Sequence, residues 1–226
     1  RVDTWKQRYW SGGSPVTELW HDYTYDSANQ LDLVQNLSTS PATTVKDYSY
    51  DFALNRTVAA NAAAGSGSSW AVDGVNQLVS ETVGGSVVKS YTYDDNGSML
   101  QELAQPSGTP LRTFTWNGQR KLASAVVGNV TNVFTYDGLG RLVKMEETPS
   151  GGSTTTRYYL WCGMEVCEER SSGGGTVTKR FFAEGFEDVA GGGTDYHYTR
   201  DHLGSVRELM NGSGTVVSRF SYDAWG

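Results

Sequence analysis

The sequence predicts an all-β protein built from tandem β-hairpins that lie side by side in one curved antiparallel sheet. Three observations predict it. An aromatic-x-aromatic-Asp signature recurs at Tyr23-Thr24-Tyr25-Asp26, Tyr48-Ser49-Tyr50-Asp51, Tyr91-Thr92-Tyr93-Asp94, Phe134-Thr135-Tyr136-Asp137 and Phe220-Ser221-Tyr222-Asp223. Weaker copies, Trp70-Ala71-Val72-Asp73 and Phe114-Thr115-Trp116-Asn117, complete a series whose last positions are 26, 51, 73, 94, 117 and 137, with steps of 25, 22, 21, 23 and 20 residues. A near-constant period of this length marks a repeat architecture. Finally, turn signals follow the signatures, such as Asp95-Asn96-Gly97 after Asp94, Gly138 and Gly140 after Asp137, and Asn117-Gly118 after Trp116. Asn-Gly and Asp-Gly supply the positive φ that hairpin turns need.

Each element follows from that unit. Strand side chains alternate, so Tyr91 and Tyr93 share one face and Thr92 and Asp94 the other. A second apolar strand comes after the turn, as in Ser98–Leu103 or Arg141–Glu146. Two strands of about five or six residues and two turns use about twenty residues, so one repeat is one hairpin. A lone hairpin is marginal in water, and stacking hairpins buries a continuous aromatic stripe of Tyr25, Tyr50, Tyr93, Tyr136 and Tyr222. Asp26, Asp51, Asp94, Asp137 and Asp223 are expected to cap the turns through their carboxylates. A residue repeated in near-equal context reads as structural, since catalysis needs one site.

Along the chain, residues 1–22 are an N-terminal cap or incomplete repeat rich in tryptophan (Trp5, Trp10, Trp20), and residues 23–153 are the regular array. Within the array, Ala59–Ser69 is a connection of small residues, a flexible loop or a short helical turn. Beyond 154 the strands lengthen, as in Thr156–Cys162 and Thr176–Phe182, and Gly173-Gly174-Gly175 and Gly191-Gly192-Gly193 read as further turns.

Composition narrows the function. Aromatics reach 12% and glycine 27 of 226 residues, which suits a β protein with many turns. The net charge is −7 with scattered basic residues, so no electrostatic footprint for nucleic acid or anionic lipid is present. No apolar run is long enough for a membrane-spanning helix. The first residues are no signal peptide, and the sequence opens as a fragment would. Cys162 and Cys167 would face opposite sides of a single strand, which disfavours a bond within one strand; a bridge across a bend stays open. His21, His197 and His202 lack ligand spacing, and no metal or cofactor is expected.

One stretch is more specific than the repeats. Tyr198-Thr199-Arg200-Asp201-His202-Leu203-Gly204-Ser205-Val206-Arg207, with Gly214–Gly226 ending in Tyr222-Asp223-Ala224-Trp225-Gly226, resembles the segment that opens the core region of the RHS / YD-repeat family. Residues 154–226 thus read as a core-like segment, and the resemblance extends over nearly the whole chain. It implies a β-hairpin spiral, part of a hollow shell that encloses a C-terminal toxin or effector. It also implies a secreted or cell-surface bacterial protein. Animal teneurins share the architecture and use it in adhesion. The family's core continues past the Tyr-Asp-x-Trp-Gly position into a plug with a self-cleavage motif, whereas this sequence stops at Gly226.

Several side chains have chemistry of their own. Asp201, His202 and Ser205 are the residue types of a hydrolytic triad, but adjacent Asp and His on one strand point to opposite faces, and a turn motif is the preferred reading. Gly204 is expected in a special backbone conformation there. A cysteine paired with a histidine would give a reactive thiolate, although core packing is the commoner use of such a cysteine. Glu165 belongs to an acidic cluster, with Glu168, Glu169, Glu184, Glu187 and Asp188, from which paired carboxylates for glycoside cleavage could come. Trp5, Trp10, Trp20 and Trp161 are the aromatics least explained by the repeat, and their faces suit sugar rings.

Two functions follow. The first is a non-catalytic scaffold, a YD-repeat shell or adhesion fragment, whose partners are flanking repeats or an effector of the same protein and whose exposed edge strands invite self-association. The alternative is a hydrolase (glycosidase or esterase) or glycan-binding module, whose site would lie outside the repeat register, at 1–22 or 154–212.

Overall fold

The computed structural model describes residues 4–11, 14–60, 67–171, 173, 175–201 and 203–222. Among them are twenty antiparallel strands of one sheet and no α-helix, so the fold is all-β. The chain forms two compact units, Arg1–Thr113 and Phe114–Gly226.

The first unit contains β1 (Thr4–Ser11), β2 (Ser14–Tyr25), β3 (Leu31–Asn36), β4 (Thr43–Tyr50), β5 (Arg56–Ala60), β6 (Ser68–Val72), β7 (Leu78–Val83), β8 (Ser86–Tyr93), β9 (Met99–Ala104) and the start of β10 (Thr109–Trp116). Each strand pairs antiparallel with the one before it. The second unit holds the end of β10, then β11 (Leu122–Val127), β12 (Val130–Tyr136), β13 (Leu142–Pro149), β14 (Thr155–Cys162), β15 (Glu165–Arg170), β16 (Val177–Phe182), β17 (Gly185–Asp188), β18 (Thr194–Arg200), β19 (Val206–Asn211) and β20 (Val216–Arg219). From β11 onward the same neighbour pairing holds. In such an order every second connection falls at the same end of a unit's strands. One end therefore collects the loops that begin at the signature Asp or Asn and at Asp201, and the other collects connections such as Gly84-Gly85, Gly128-Asn129 and the Asn211 loop between β19 and β20.

The Asp loops share one geometry. In the loop 94–98, Asp94 N–H donates to Ser98 O and Gly97 N–H donates back to Asp94 O, both at 2.9 Å. The same two bonds close the loops at Asp26, Asp51, Asp73, Asn117, Asp137, Asp201 and Asn211. Three residues thus lie between the bonded ends, and the third takes a positive φ, 80° at Gly97 and 75° at Gly140. This is a type I turn closed by a left-handed residue. The expectation that the Gly of Asn-Gly or Asp-Gly supplies the positive φ holds at Asn96-Gly97 and is corrected at two other loops. After Asn117-Gly118 the left-handed residue is Arg120 (φ 57°), and after Asp137-Gly138 it is Gly140. The ladder shifts register just before the loop, between Thr92 and Tyr93 or Thr135 and Tyr136, which accommodates the extra loop residue.

The core is small. Leu31, Val34, Tyr48 and Ala59 are buried together in the first unit, with Tyr23, Tyr25, Val45, Tyr50 and Trp70 packed on them. In the second unit, Ala125 is buried and Phe186 stacks on Tyr196 at 4.9 Å between ring centroids. The stripe expected to be buried is half-buried at Tyr25, Tyr50, Tyr93 and Tyr136, and Tyr222 is 41% exposed. The reason is that strands of one sheet cover a ring from the sides more fully than from above.

Candidate functional site

The loop end of each unit is where the signature residues converge. Each loop carboxylate or amide turns back onto its own backbone. Asp94 Oδ1 accepts from Asn96 N–H at 2.9 Å and Ser98 N–H at 2.8 Å. Asp51, Asp73, Asn117, Asp137, Asp201 and Asn211 each accept from the second and fourth residues that follow. The amide of the second residue points inward, so its side chain points out, and Val75, Leu139 and Leu203 are more than 70% exposed.

A second recurring bond ties each repeat to the one before it. Tyr50 Oη donates to Leu31 O (2.6 Å), Tyr93 Oη to Leu78 O (2.8 Å), Tyr136 Oη to Leu122 O (2.9 Å) and Tyr222 Oη to Val206 O (2.8 Å). The acceptor is always the residue five places after the preceding loop's Asp or Asn, the first of its strand. The aromatic therefore ties its hairpin to the first residue of a strand in the preceding repeat. Neighbouring loops also touch: Asn55 Nδ2 donates to Asn76 Oδ1 at 3.1 Å, and Arg141 Nη1 to Gly163 O at 2.9 Å.

Electrostatics follow from these contacts. The side-chain amide of Asn55, with the loop amides, holds the Asp51 carboxyl below its ordinary value. The Arg141 backbone N–H, then its guanidinium, does the same for Asp137. Burial opposes the charge on Asp201, yet Arg207 and two amides outweigh it and the pKa is lowered. Burial pushes the Tyr50 hydroxyl up to about 12. Charge ladders cross the strands on the sheet itself. Glu102, 5% exposed, pairs with Lys89 at 3.1 Å and Arg112 at 3.0 Å, and Lys89 reaches Glu81 at 3.2 Å. In the second unit Arg180 bridges Glu187 (2.8 Å) and Glu168 (4.0 Å).

The residues singled out in the sequence fall as follows. Asp201 caps its loop and pairs with Arg207 at 2.8 Å, and Gly204 has a φ of 85°. His202 and Asp223 lie outside the described residues. Glu165 is exposed at the start of β15, opposite Cys162. Trp20 is half-buried with Lys6 Nζ 3.9 Å from its ring centroid, while the side chains of Trp5 and Trp10 lie outside the described residues. Trp161 is in the repeat register: its indole Nε1–H donates to Leu142 O at 2.8 Å, the place a tyrosine takes elsewhere. Cys162 and Cys167 form a disulfide across the β14–β15 turn, with 5.6 Å between their Cα atoms. With the bond formed, neither cysteine is a free thiolate paired with a histidine.

Sequence reading places a turn at Asp201 but gives no capping role to Asp201 or Asn211, although the signal is visible. Asp201-His202-Leu203-Gly204 and Asn211-Gly212-Ser213-Gly214 both carry the Asp/Asn-x-x-Gly spacing of Asp137–Gly140. A cleft of about 410 Å³ lies between the first two Asp loops, lined by Asp26, Asp32, Tyr48, Tyr50, Asp51 and Phe52 among others. Another of about 230 Å³ is lined by Phe182, Phe186, Tyr196 and His197. Among the described residues no group of His, Cys, Asp or Glu is arranged to hold a metal ion, and no helix is long and apolar enough to cross a membrane.

No family model and no curated protein matches the chain. Among solved structures it is similar to the Photorhabdus luminescens Tc holotoxin pore, at 12% identity and a TM-score of 0.37, covering 92% of this chain and 14% of that one. It is similar also to the TcdB2-TccC3-Cdc42 structure, at 14% identity and a TM-score of 0.40 over 97% of this chain and 16% of that one. The chain thus spans about a sixth of the length of these proteins. A porin-like protein from Bacteroides uniformis matches at 13% identity and a TM-score of 0.32, over 91% of this chain and 87% of that one.

Proposed function

We propose that this chain is a non-catalytic structural scaffold, a run of YD-type hairpins from a larger secreted or surface protein that encloses or presents an effector. One observation carries the reading. The same two bonds, aromatic to carbonyl and carboxylate to amide, recur through both units. The signature carboxylates and aromatics hold backbone, and Glu168 and Glu187 pair with Arg170 and Arg180, as a wall of stacked modules requires. Asp201, one of the catalytic candidates in the sequence, makes the same kind of contacts as Asp137. The Cys162–Cys167 disulfide supports maturation in an oxidising compartment.

The test is a panel of chromogenic esters and glycosides, with a glycan array alongside, on the folded chain. The expected result is cooperative unfolding with no turnover and no glycan retained. Turnover that a single substitution such as Glu165→Gln abolishes would overturn the scaffold reading.

A further inference from the structure

The β14–β15 connection departs from the other loops that follow a tying aromatic. Cys162 comes directly after Trp161, the position that Asp51, Asp94 and Asp137 hold after their tyrosines. The ladder shifts register between Leu160 and Trp161, as it does before the Asp loops. No Asp or Asn stands there to cap the turn, which is only Gly163-Met164. In its place Cys162 is bonded to Cys167 on the returning strand. Two contacts join this turn to the repeat before it, Trp161 Nε1–H to Leu142 O and Arg141 Nη1–H to Gly163 O.

We propose that the Cys162–Cys167 disulfide is a redox-controlled clip that replaces the missing carboxylate cap and holds the Trp161 tie. Cys162 is exposed, so a dithiol reductant can reach its sulfur. The reductant's thiolate attacks that sulfur and expels the Cys167 thiolate, which takes a proton. The reductant's second thiol then closes on the mixed disulfide. The protein gains two thiols and the reductant becomes a disulfide. Without the clip, the turn keeps the Cys162–Glu165 and Trp161–Val166 ladder pairs and the Arg141 bond to Gly163 O but loses its covalent cross-link, and Trp161 loosens from Leu142. The change is local because the flanking hairpins keep their own bonds. The inference rests on the repeat register and holds whether or not the chain encloses an effector.

Hydrogen exchange tests it on the whole chain, compared oxidised, after dithiothreitol and after reoxidation. Trp161 emission is read as the difference between the chain and its Trp161→Phe variant. Reduction should speed exchange by about tenfold or more in peptides spanning 142–170, leave those spanning 91–104 unchanged, and shift the Trp161 emission to the red, all reversibly. The double variant Cys162→Ser/Cys167→Ser should match the reduced chain and ignore dithiothreitol. Unchanged exchange with both thiols titratable would overturn the clip, and so would global unfolding on reduction or free thiols in protein prepared without reductant.

Discussion

Tyr93 donates its hydroxyl to the Leu78 carbonyl at the end of a half-buried ring, so two effects are separable there. Tyr93→Phe keeps the ring and leaves the carbonyl without its donor, and should cost about 1 kcal/mol in chemical denaturation. Tyr93→Ala also removes ring packing and should cost about 2–3 kcal/mol, below a fully buried aromatic because the ring is only half covered. Equal losses from both variants would mean that the ring contributes nothing. Gly185 is the residue whose replacement should be least tolerated. An added Cβ would sit inside the van der Waals radius of the Tyr196 carbonyl, a backbone atom fixed in the β17–β18 ladder. Gly185→Ala should cost at least about 2 kcal/mol, while Gly138→Ala, in open space with an ordinary φ, should be neutral.

At the scale of the hairpin, stability comes from cross-strand pairs more than from a deep core. Glu102 is the test. It is the buried charged side chain among the described residues, with a cation on the strand to either side. Glu102→Ala leaves Lys89 and Arg112 without that shared partner and should cost about 1–3 kcal/mol, less than a fully buried pair because both cations are partly solvated. If the loss stays within about 0.5 kcal/mol, the ladder is a surface feature only. The disulfide acts on the same scale. Closing a loop of this length should contribute about 2 kcal/mol, read as the stability lost on Cys162→Ser/Cys167→Ser.

For the whole molecule, the shifted groups set the pH range of stability. Asp51, Asp137 and Asp201 have lowered values in the folded chain, so their contribution is present above the ordinary carboxylate value of 3.8 and is lost as the pH falls through the lowered ones. Tyr50 is raised from 10.0 to about 12, so the stability of its protonated form is complete below pH 10 and is lost as the pH rises toward 12. Burial lowers the His21 imidazole below its ordinary 6.5, so its contribution is also lost as the pH falls below that value, and melting curves should show their plateau between about pH 6.5 and 10. The advantage of the native chain over Tyr50→Phe should shrink between pH 10 and 12, and an unchanged difference would show that Tyr50 does not titrate with unfolding.

The all-β class and the hairpin unit were legible in the sequence, because period-two aromatics and turn residues at a constant spacing express local physics that each repeat states for itself. Asp94 beside Gly97 is a complete local instruction: a carboxylate within reach of two amides, and a residue free to take positive φ. What the tertiary structure decided is whatever joins residues of different repeats. Trp161 reads as an odd aromatic until the pairing of β13 with β14 brings its indole N–H to Leu142 O. Cys162 and Cys167 read as opposite faces of one strand until a two-residue turn folds them together. The burial of Glu102 likewise depends on Lys89 and Arg112 arriving from adjacent strands. These outcomes depend on register, which neighbouring strands set between them and no single repeat encodes alone.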